Sequence, residues 1–147
     1  MTFSPLDNLA RIGKLKTEPP VQAEFDGLVR SGRVRLRDAE NAALSLESRF
    51  DLAYNAAHAL SLAALRWHGY RSENRYLAFQ CLEHTIGLEK AQWRVLDQAH
   101  NKGNLAEYEG DVDVDNALVD ALIRAAYTVT ERVAALGSVT RQEKRGV

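Results

Sequence analysis

A long apolar seam runs through the middle of the chain. Its members alternate four and three residues apart, and a second stripe of small residues lies beside it. The seam consists of Leu46, Phe50, Ala53, Ala57, Leu60, Ala64 and Trp67, and the stripe of Leu52, Ala56, Ala59 and Ala63. Because apolar side chains cover most of the circumference, this spacing predicts a central helix contacted from several sides. Gly69 is expected to end it.

Shorter apolar patterns on both sides predict further helices. Ser4-Pro5 is typical of a helix start, with Ser as the N-cap and Pro at the first helical position. A second helix is predicted over about 21–30 and is ended by Ser31-Gly32, and residues 33–41 form a loop or a further helical turn. Two more helices are predicted over 76–86 and 88–99, separated by Gly87. A last helix runs from Asp113 or Asp115 to Gly137.

These elements predict an all-α fold, an antiparallel up-and-down bundle of five to seven helices. We expect one domain over residues 1–139, with its core in 45–137 and N-terminal helices in 4–31. The polar residues 140–147 are expected to form a flexible tail.

Composition narrows the classes of function. The net charge of −1 provides no overall basic field for nucleic acid or anionic lipid, although a local basic patch is compatible with it. No signal-peptide pattern or long uncharged apolar run is present, so we expect a cytoplasmic protein that does not enter membranes. Cys81 is the single cysteine and lies in an apolar helical pattern, which favours a buried, inert thiol.

The histidines do not predict a metal site. His58 lies in the alanine-rich helix and is expected to be a core or interface residue, while His68 at a helix end suits a structural role. His84 stands next to Glu83, and adjacent helical positions diverge. No Glu-x-x-His or His-Glu-x-x-His spacing appears, so we expect neither a metal nor another cofactor.

The polar segment from His100 to Gly110 is the strongest candidate for a functional site. It is predicted to be a turn between two apolar helices. Its ligand-binding candidates are Lys102, Asn104, Glu107 and Tyr108, which offer a charge, an amide, a carboxylate and a phenol suited to phosphate, ribose or base. The alternative is purely structural: Asn-Lys-Gly-Asn is ordinary turn chemistry, and Tyr108 anchors the turn on the bundle.

Arg94 and His100 form a second, catalytic candidate. An Arg can hold a scissile phosphate while a His moves a proton to or from the ribose hydroxyl. Six positions separate them, or about 240° on a regular helix, which would splay them apart. They converge only if the helix unwinds before Asn101 or if two subunits meet at a dimer axis.

The alanine-rich helix around 53–60, the Gly69-Tyr70-Arg71 turn and the segment from Gly103 to Gly110 together resemble the HEPN superfamily. The resemblance covers about residues 50–136. It implies a helical bundle whose penultimate helix ends in an Arg-Asn motif followed by His. Many members act as metal-independent ribonucleases at a dimer axis, several are toxins of toxin–antitoxin pairs, and others are non-catalytic partners of nucleotidyltransferases.

This chain departs from the ribonuclease pattern. Gly103 stands where the Arg before Asn104 is expected, Lys102 supplies a charge one position early, and no His follows in register. Arg94 with His100 fits a looser Arg-to-His spacing in an earlier register. We therefore predict a non-catalytic or altered HEPN-like module that engages a nucleotide, RNA or a protein such as a nucleotidyltransferase. The alternative is a ribonuclease toxin with an antitoxin partner.

A homodimer is expected for two reasons. The resemblance implies one, and the central helices are expected to expose more apolar surface than one small bundle covers.

Overall fold

The computed structural model describes the backbone of residues 4–109 and 114–139, and the side chains of residues 4–102 and 114–139. The described residues form seven helical segments and one pair of two-residue strands, which confirms the predicted all-α bundle. In chain order they are α1 (Pro5–Arg11), β1 (Lys16–Thr17), α2 (Gln22–Ala39), α3 (Leu46–Trp67), β2 (Tyr70–Arg71), α4 (Arg75–Gln80), α5 (Leu82–Thr85), α6 (Lys90–Glu109) and α7 (Asn116–Ala134).

Helix α3 is the centre of the bundle, as its apolar seam predicts. It contacts α2 and α7 along much of its length and also touches α4, α5 and α6. Its alanines are fully or almost fully buried, among them Ala53, Ala57 and Ala64. Small side chains allow several neighbours to approach one helix, and this is how α3 is covered within a single chain. Gly69 follows its end with φ +89°, a conformation that favours glycine.

Predicted caps mark two of the helix starts. The Ser4 hydroxyl accepts a hydrogen bond from the Asp7 N–H at 3.1 Å, with Pro5 as the first helical residue. The Asp115 carboxylate accepts one from the Leu118 N–H at 2.8 Å and so caps α7. The start at Ser4 was predicted, and of the two alternatives for the last helix the structure has Asp115 as the cap.

Helix α2 corrects one prediction. Ser31-Gly32 was expected to end a short helix at Arg30, but α2 continues through both residues to Ala39. Gly32 is buried where α2 crosses α3, and a Cβ added there would lie 2.7 Å from Leu60 Cγ. The glycine is therefore a point of close helix approach and not a helix end.

Helix α6 corrects another. The segment from His100 was predicted to be a turn, but the helix runs without a break from Lys90 to Glu109. A glycine inside a helix costs about 1 kcal/mol relative to alanine, and the following Leu-Ala-Glu residues are good helix formers. The helix propensity of these residues thus outweighs the turn-forming tendency of Asn101 and Gly103.

The small β1–β2 pair was not predicted. Lys16 and Thr17 pair antiparallel with Arg71 and Tyr70, and strands of two residues leave no alternating pattern to detect. Together with α1 they cover a second, smaller core beneath the end of α3. Cys81 is fully buried in that core as a free thiol, as predicted.

No helix of the described part of the chain is long and apolar enough to cross a membrane.

Candidate functional site

The unbroken helix α6 decides how the predicted catalytic pair is arranged. Arg94 and His100 are six residues apart, so a regular helix separates them by about 9 Å along its axis and by about 120° around it. Arg94 is exposed and lines a cavity, whereas His100 is half-buried and packs against α3 and α4. Within one chain, the structure does not bring the two side chains to one site.

His100 belongs to a cluster of aromatic rings. The Tyr54 hydroxyl lies 3.0 Å from His100 Nδ1, at hydrogen-bond distance. The rings of Tyr76 and Phe79 have their centroids 5.0 Å and 6.4 Å from that of His100. These contacts tie α6 to α3 and α4, which is what a packed interhelical histidine does.

Burial, and then charged groups at the edge of this cluster, shift the pKa values of His58 and Tyr76. The Arg75 guanidinium lies 5.7 Å from the centre of the Tyr54 ring, a cation–π distance. Burial, and to a smaller extent the charge of Arg75, lowers the pKa of His58 to about 4. Burial and a hydrogen bond to Asp97 raise the pKa of Tyr76. His58 is therefore neutral at pH 7, consistent with the predicted core or interface role.

A cavity of about 540 Å³ lies beside the start of α6, between α1, α4 and α5. Its walls are largely apolar, and its two cationic side chains, Lys90 and Arg94, come from α6. The lining residues are Leu9, Leu77, Gln80, Cys81, Glu83, His84, Leu88, Lys90, Trp93 and Arg94. This volume is within the range of small-molecule sites, about 300–1,000 Å³.

Lys90 and Arg94 bring positive charge to this cavity. They are four residues apart, so both side chains lie on one face of α6. Neither forms an ion pair with any carboxylate of the described residues, and Glu83 is the one carboxylate in the lining. An anion with several oxygens could accept hydrogen bonds from both the Lys90 ammonium and the Arg94 guanidinium.

Trp93 adds an aromatic surface to the same cavity. Its ring is half-buried and meets the Tyr76 ring edge-on, with centroids 6.2 Å apart and planes at 73°. Burial raises the pKa of the Cys81 thiol to about 11, so that this residue remains protonated and does not act as a nucleophile. The cavity therefore has groups for binding a planar anion, and its thiol is inert.

The predicted ligand-binding set lies farther along the same helix. Lys102 is half-buried near the end of the described side chains. The backbone of Asn104, Glu107 and Tyr108 belongs to α6, and their side chains lie outside the described part of the structure. Their role stays a prediction.

The remaining histidines have different surroundings. His68 Nε2 donates to the Thr85 carbonyl at 2.9 Å and joins the end of α3 to α5, as its predicted structural role requires. His84 is exposed at the edge of the cavity. Among the described side chains, those of residues 4–102 and 114–139, no cluster of three or more His, Cys, Asp or Glu could hold a metal ion.

A buried ion-pair cluster beside β1 and β2 was not predicted. The side chain of Arg66 is 2% exposed, and its Nε donates to Glu24 Oε1 at 2.6 Å. Its other nitrogens donate to the carbonyls of Glu18, Pro19 and Tyr70 at 2.8–3.3 Å. Hydrogen bonds from Arg66 and then Arg71 lower the pKa of Glu24. Each buried polar group has a partner, which indicates a structural role.

Sequence reasoning selected Arg94 but missed its neighbours in the cavity. The signal was present as Lys90, Trp93 and Arg94 at spacings of three and four residues on one helix. It was not selected because the cavity is completed by α1, α4 and α5, whose positions the spacing does not specify.

Comparison with protein-family models, with curated proteins and with solved structures finds no match to this chain.

Proposed function

We propose that the protein is a HEPN-like binding module that holds the phosphate and base of a nucleotide or of an RNA nucleotide without cleaving it. The observation that supports this most directly is that one cavity is lined by Lys90, Arg94 and Trp93, while His100 is not among its lining residues and contacts Tyr54 instead.

The cavity has the groups that nucleotide binding needs. An Arg guanidinium can donate two parallel hydrogen bonds to a phosphate, and Lys90 adds a second positive charge four residues away. An indole can stack on a base, which contributes about 1–3 kcal/mol. Apolar walls from Leu9, Leu77 and Leu88 exclude water around such a ring.

The position of His100 argues against cleavage by one chain. A general base must come within hydrogen-bond reach of the proton it removes, and Arg94 must contact the same phosphate group. The two side chains lie about 120° apart around α6, and Nδ1 of His100 contacts Tyr54, which argues against both groups meeting on one phosphate within one chain. The alternative, a metal-independent ribonuclease toxin, requires a second subunit that brings its own Arg or His to the site.

Other parts of the proposal rest on the resemblance. Lys102, Asn104, Glu107 and Tyr108 would extend the binding surface along α6. A homodimer, a nucleotidyltransferase or antitoxin partner, and a cytoplasmic location are proposed on the same basis.

A binding experiment with AMP and a short single-stranded RNA tests the proposal. In a Trp67→Phe background, Trp93 is the single tryptophan and its fluorescence reports the cavity. We expect each ligand to quench this fluorescence saturably. The double variant Lys90→Ala with Arg94→Ala is expected to bind with at least about tenfold lower affinity, because both phosphate contacts are removed. The exposed pair Lys14→Ala with Arg124→Ala removes the same charge elsewhere and is expected to have little effect.

Two results would overturn the proposal. One is the absence of quenching by either ligand at millimolar concentration. The other is metal-free cleavage of RNA by the purified protein that His100→Ala and Arg94→Ala each abolish, which would establish the ribonuclease alternative.

A further inference from the structure

Helix α2 presents a shallow groove on the outside of the bundle, separate from the α6 cavity. The groove has a volume of about 320 Å³ and is lined by residues of α2 alone. They are Phe25, Asp26, Val29, Arg30, Arg33, Val34 and Arg37. Three exposed arginines thus lie beside a valine that is 47% exposed.

The positions along this groove have the spacing of a helix–helix seam. Asp26, Arg30, Arg33 and Arg37 follow one another at intervals of four, three and four residues. That alternation keeps side chains on one face of a helix, where a second helix can lie alongside. Val29 and Val34 border the row.

The three arginines of the groove outnumber its one carboxylate, Asp26, and form no ion pair with the described part of the chain. Arg66, Arg71 and Arg132 all form ion pairs with glutamates. Arg30, Arg33 and Arg37 form none with the described residues, and Asp26 accepts a hydrogen bond from Gln22 at 2.8 Å. A chain with net charge −1 therefore keeps a local cationic row next to exposed apolar surface.

We propose that this groove is the docking site for an acidic amphipathic helix of another protein. Carboxylates spaced at four and three residues on that helix would meet the arginines, and apolar side chains between them would cover Val29 and Val34. Arginine beside apolar surface is the composition that protein interfaces favour.

Two other occupants fit the groove less well. A second copy of the chain in a two-fold arrangement would place this arginine row against itself, and like charges repel. RNA would find phosphate partners but no ring on which to stack, because Phe25 is 6% exposed and the other lining side chains are not aromatic. The exposed Val34 would also remain without an apolar partner.

A synthetic helical peptide of about three heptads tests the proposal. Glutamates occupy its seam positions, leucines flank them, and a fluorescent label reports binding by anisotropy. We expect saturable binding to the full-length chain that Arg33→Glu weakens at least about tenfold, since a favourable contact becomes a repulsive one. Val34→Ser is expected to weaken it about threefold through the loss of apolar contact.

Arg35→Glu is the matched control. It makes the same charge change two positions away, about 200° around the helix, where the Arg35 guanidinium bonds to Ser31 instead of lining the groove. The affinity of this variant for the peptide is expected to remain within about twofold of the wild type, because salt screens most of the electrostatic effect of the changed charge. Circular dichroism verifies that each variant is folded.

Three outcomes would overturn the proposal. They are no binding of the acidic peptide to the wild type, equal weakening by Arg35→Glu and Arg33→Glu, and equally tight binding of a peptide that carries lysine in place of glutamate. Binding of a uridine oligonucleotide that Arg33→Glu abolishes while peptide binding is unchanged would assign the groove to RNA instead. AMP binding to the α6 cavity, measured in the same variants, distinguishes this result from failure of the proposed function.

Discussion

At the scale of single residues, Arg66 shows how one buried charge holds several segments together. Its guanidinium contacts the Glu24 carboxylate of α2 and the carbonyls of Glu18, Pro19 and Tyr70. The planar fork matches this set of acceptors, whereas a lysine ammonium is a point charge without it.

We predict that Arg66→Lys lowers the free energy of unfolding by about 2–3 kcal/mol, because it leaves buried carbonyls without donors. Chemical denaturation measures this change. Arg132→Lys is the control, since its pair with Glu89 lies near the surface and is expected to contribute much less to the free energy of unfolding. If the two variants lowered the free energy of unfolding equally, the buried contacts of Arg66 would stabilise the fold no more than the surface pair of Arg132.

His58 makes the stability of the fold depend on pH. Burial first, and Arg75 second, lower its pKa from 6.5 to about 4 in the folded chain. The unfolded chain therefore binds more protons between these values, and stability falls as the pH decreases through that window. The contribution is fully present above pH 6.5. His68, whose pKa is also lowered by burial, acts in the same direction.

We predict that His58→Gln flattens the pH dependence of unfolding between pH 6.5 and 4. As the pH falls across this range, the free energy of unfolding of the variant is expected to decrease by about 1–3 kcal/mol less than that of the wild type, because the neutral amide does not titrate. Urea denaturation at a series of pH values measures the slope. An unchanged slope in His58→Gln would contradict the prediction.

At the scale of elements, the two glycines of α2 differ in how closely other atoms surround them. A Cβ at Gly32 would lie 2.7 Å from Leu60 Cγ and 3.2 Å from the Ala56 carbonyl oxygen. At Gly27 a Cβ would have no neighbour within 4 Å. Both positions are helical, so propensity alone favours alanine at each of them.

Gly32→Ala is therefore expected to lower the free energy of unfolding by about 1–3 kcal/mol through overpacking. Gly27→Ala is expected to raise it by about 0.5–1 kcal/mol through reduced entropy of the unfolded chain. Thermal and urea denaturation of the two variants tests this opposition of sign. Stabilisation by Gly32→Ala would mean that α2 and α3 can separate without cost.

At the scale of the whole molecule, one chain covers its own central helix. Helix α3 buries twelve residues against its neighbours, so the expected surplus of apolar surface on the central helix is not found among the described residues. The large apolar side chains that are exposed are scattered over other parts of the surface. The homodimer then rests on the resemblance alone.

Light scattering after size-exclusion chromatography tests that prediction. A dimer is expected to have about twice the 16.4 kDa mass of one chain. A mass of one chain at high protein concentration would remove the dimer and, with it, the arrangement that the ribonuclease alternative needs.

The periodicity of the sequence by itself determined the all-α class and the central position of α3, and the Ser-Pro pair determined the capped start at Ser4. These depend on neighbours within a few residues, which a linear pattern records.

Only the tertiary structure decided whether α2 and α6 continue past their glycines. In α2, packing against α3 at Gly32 outweighs a helix-propensity cost of about 1 kcal/mol. It also decided that Arg94 faces a cavity and His100 an aromatic cluster, and that Arg66 meets Glu24 across 42 positions of sequence. Such convergence depends on how separate helices pack, and the spacing of residues along one helix contains no record of it.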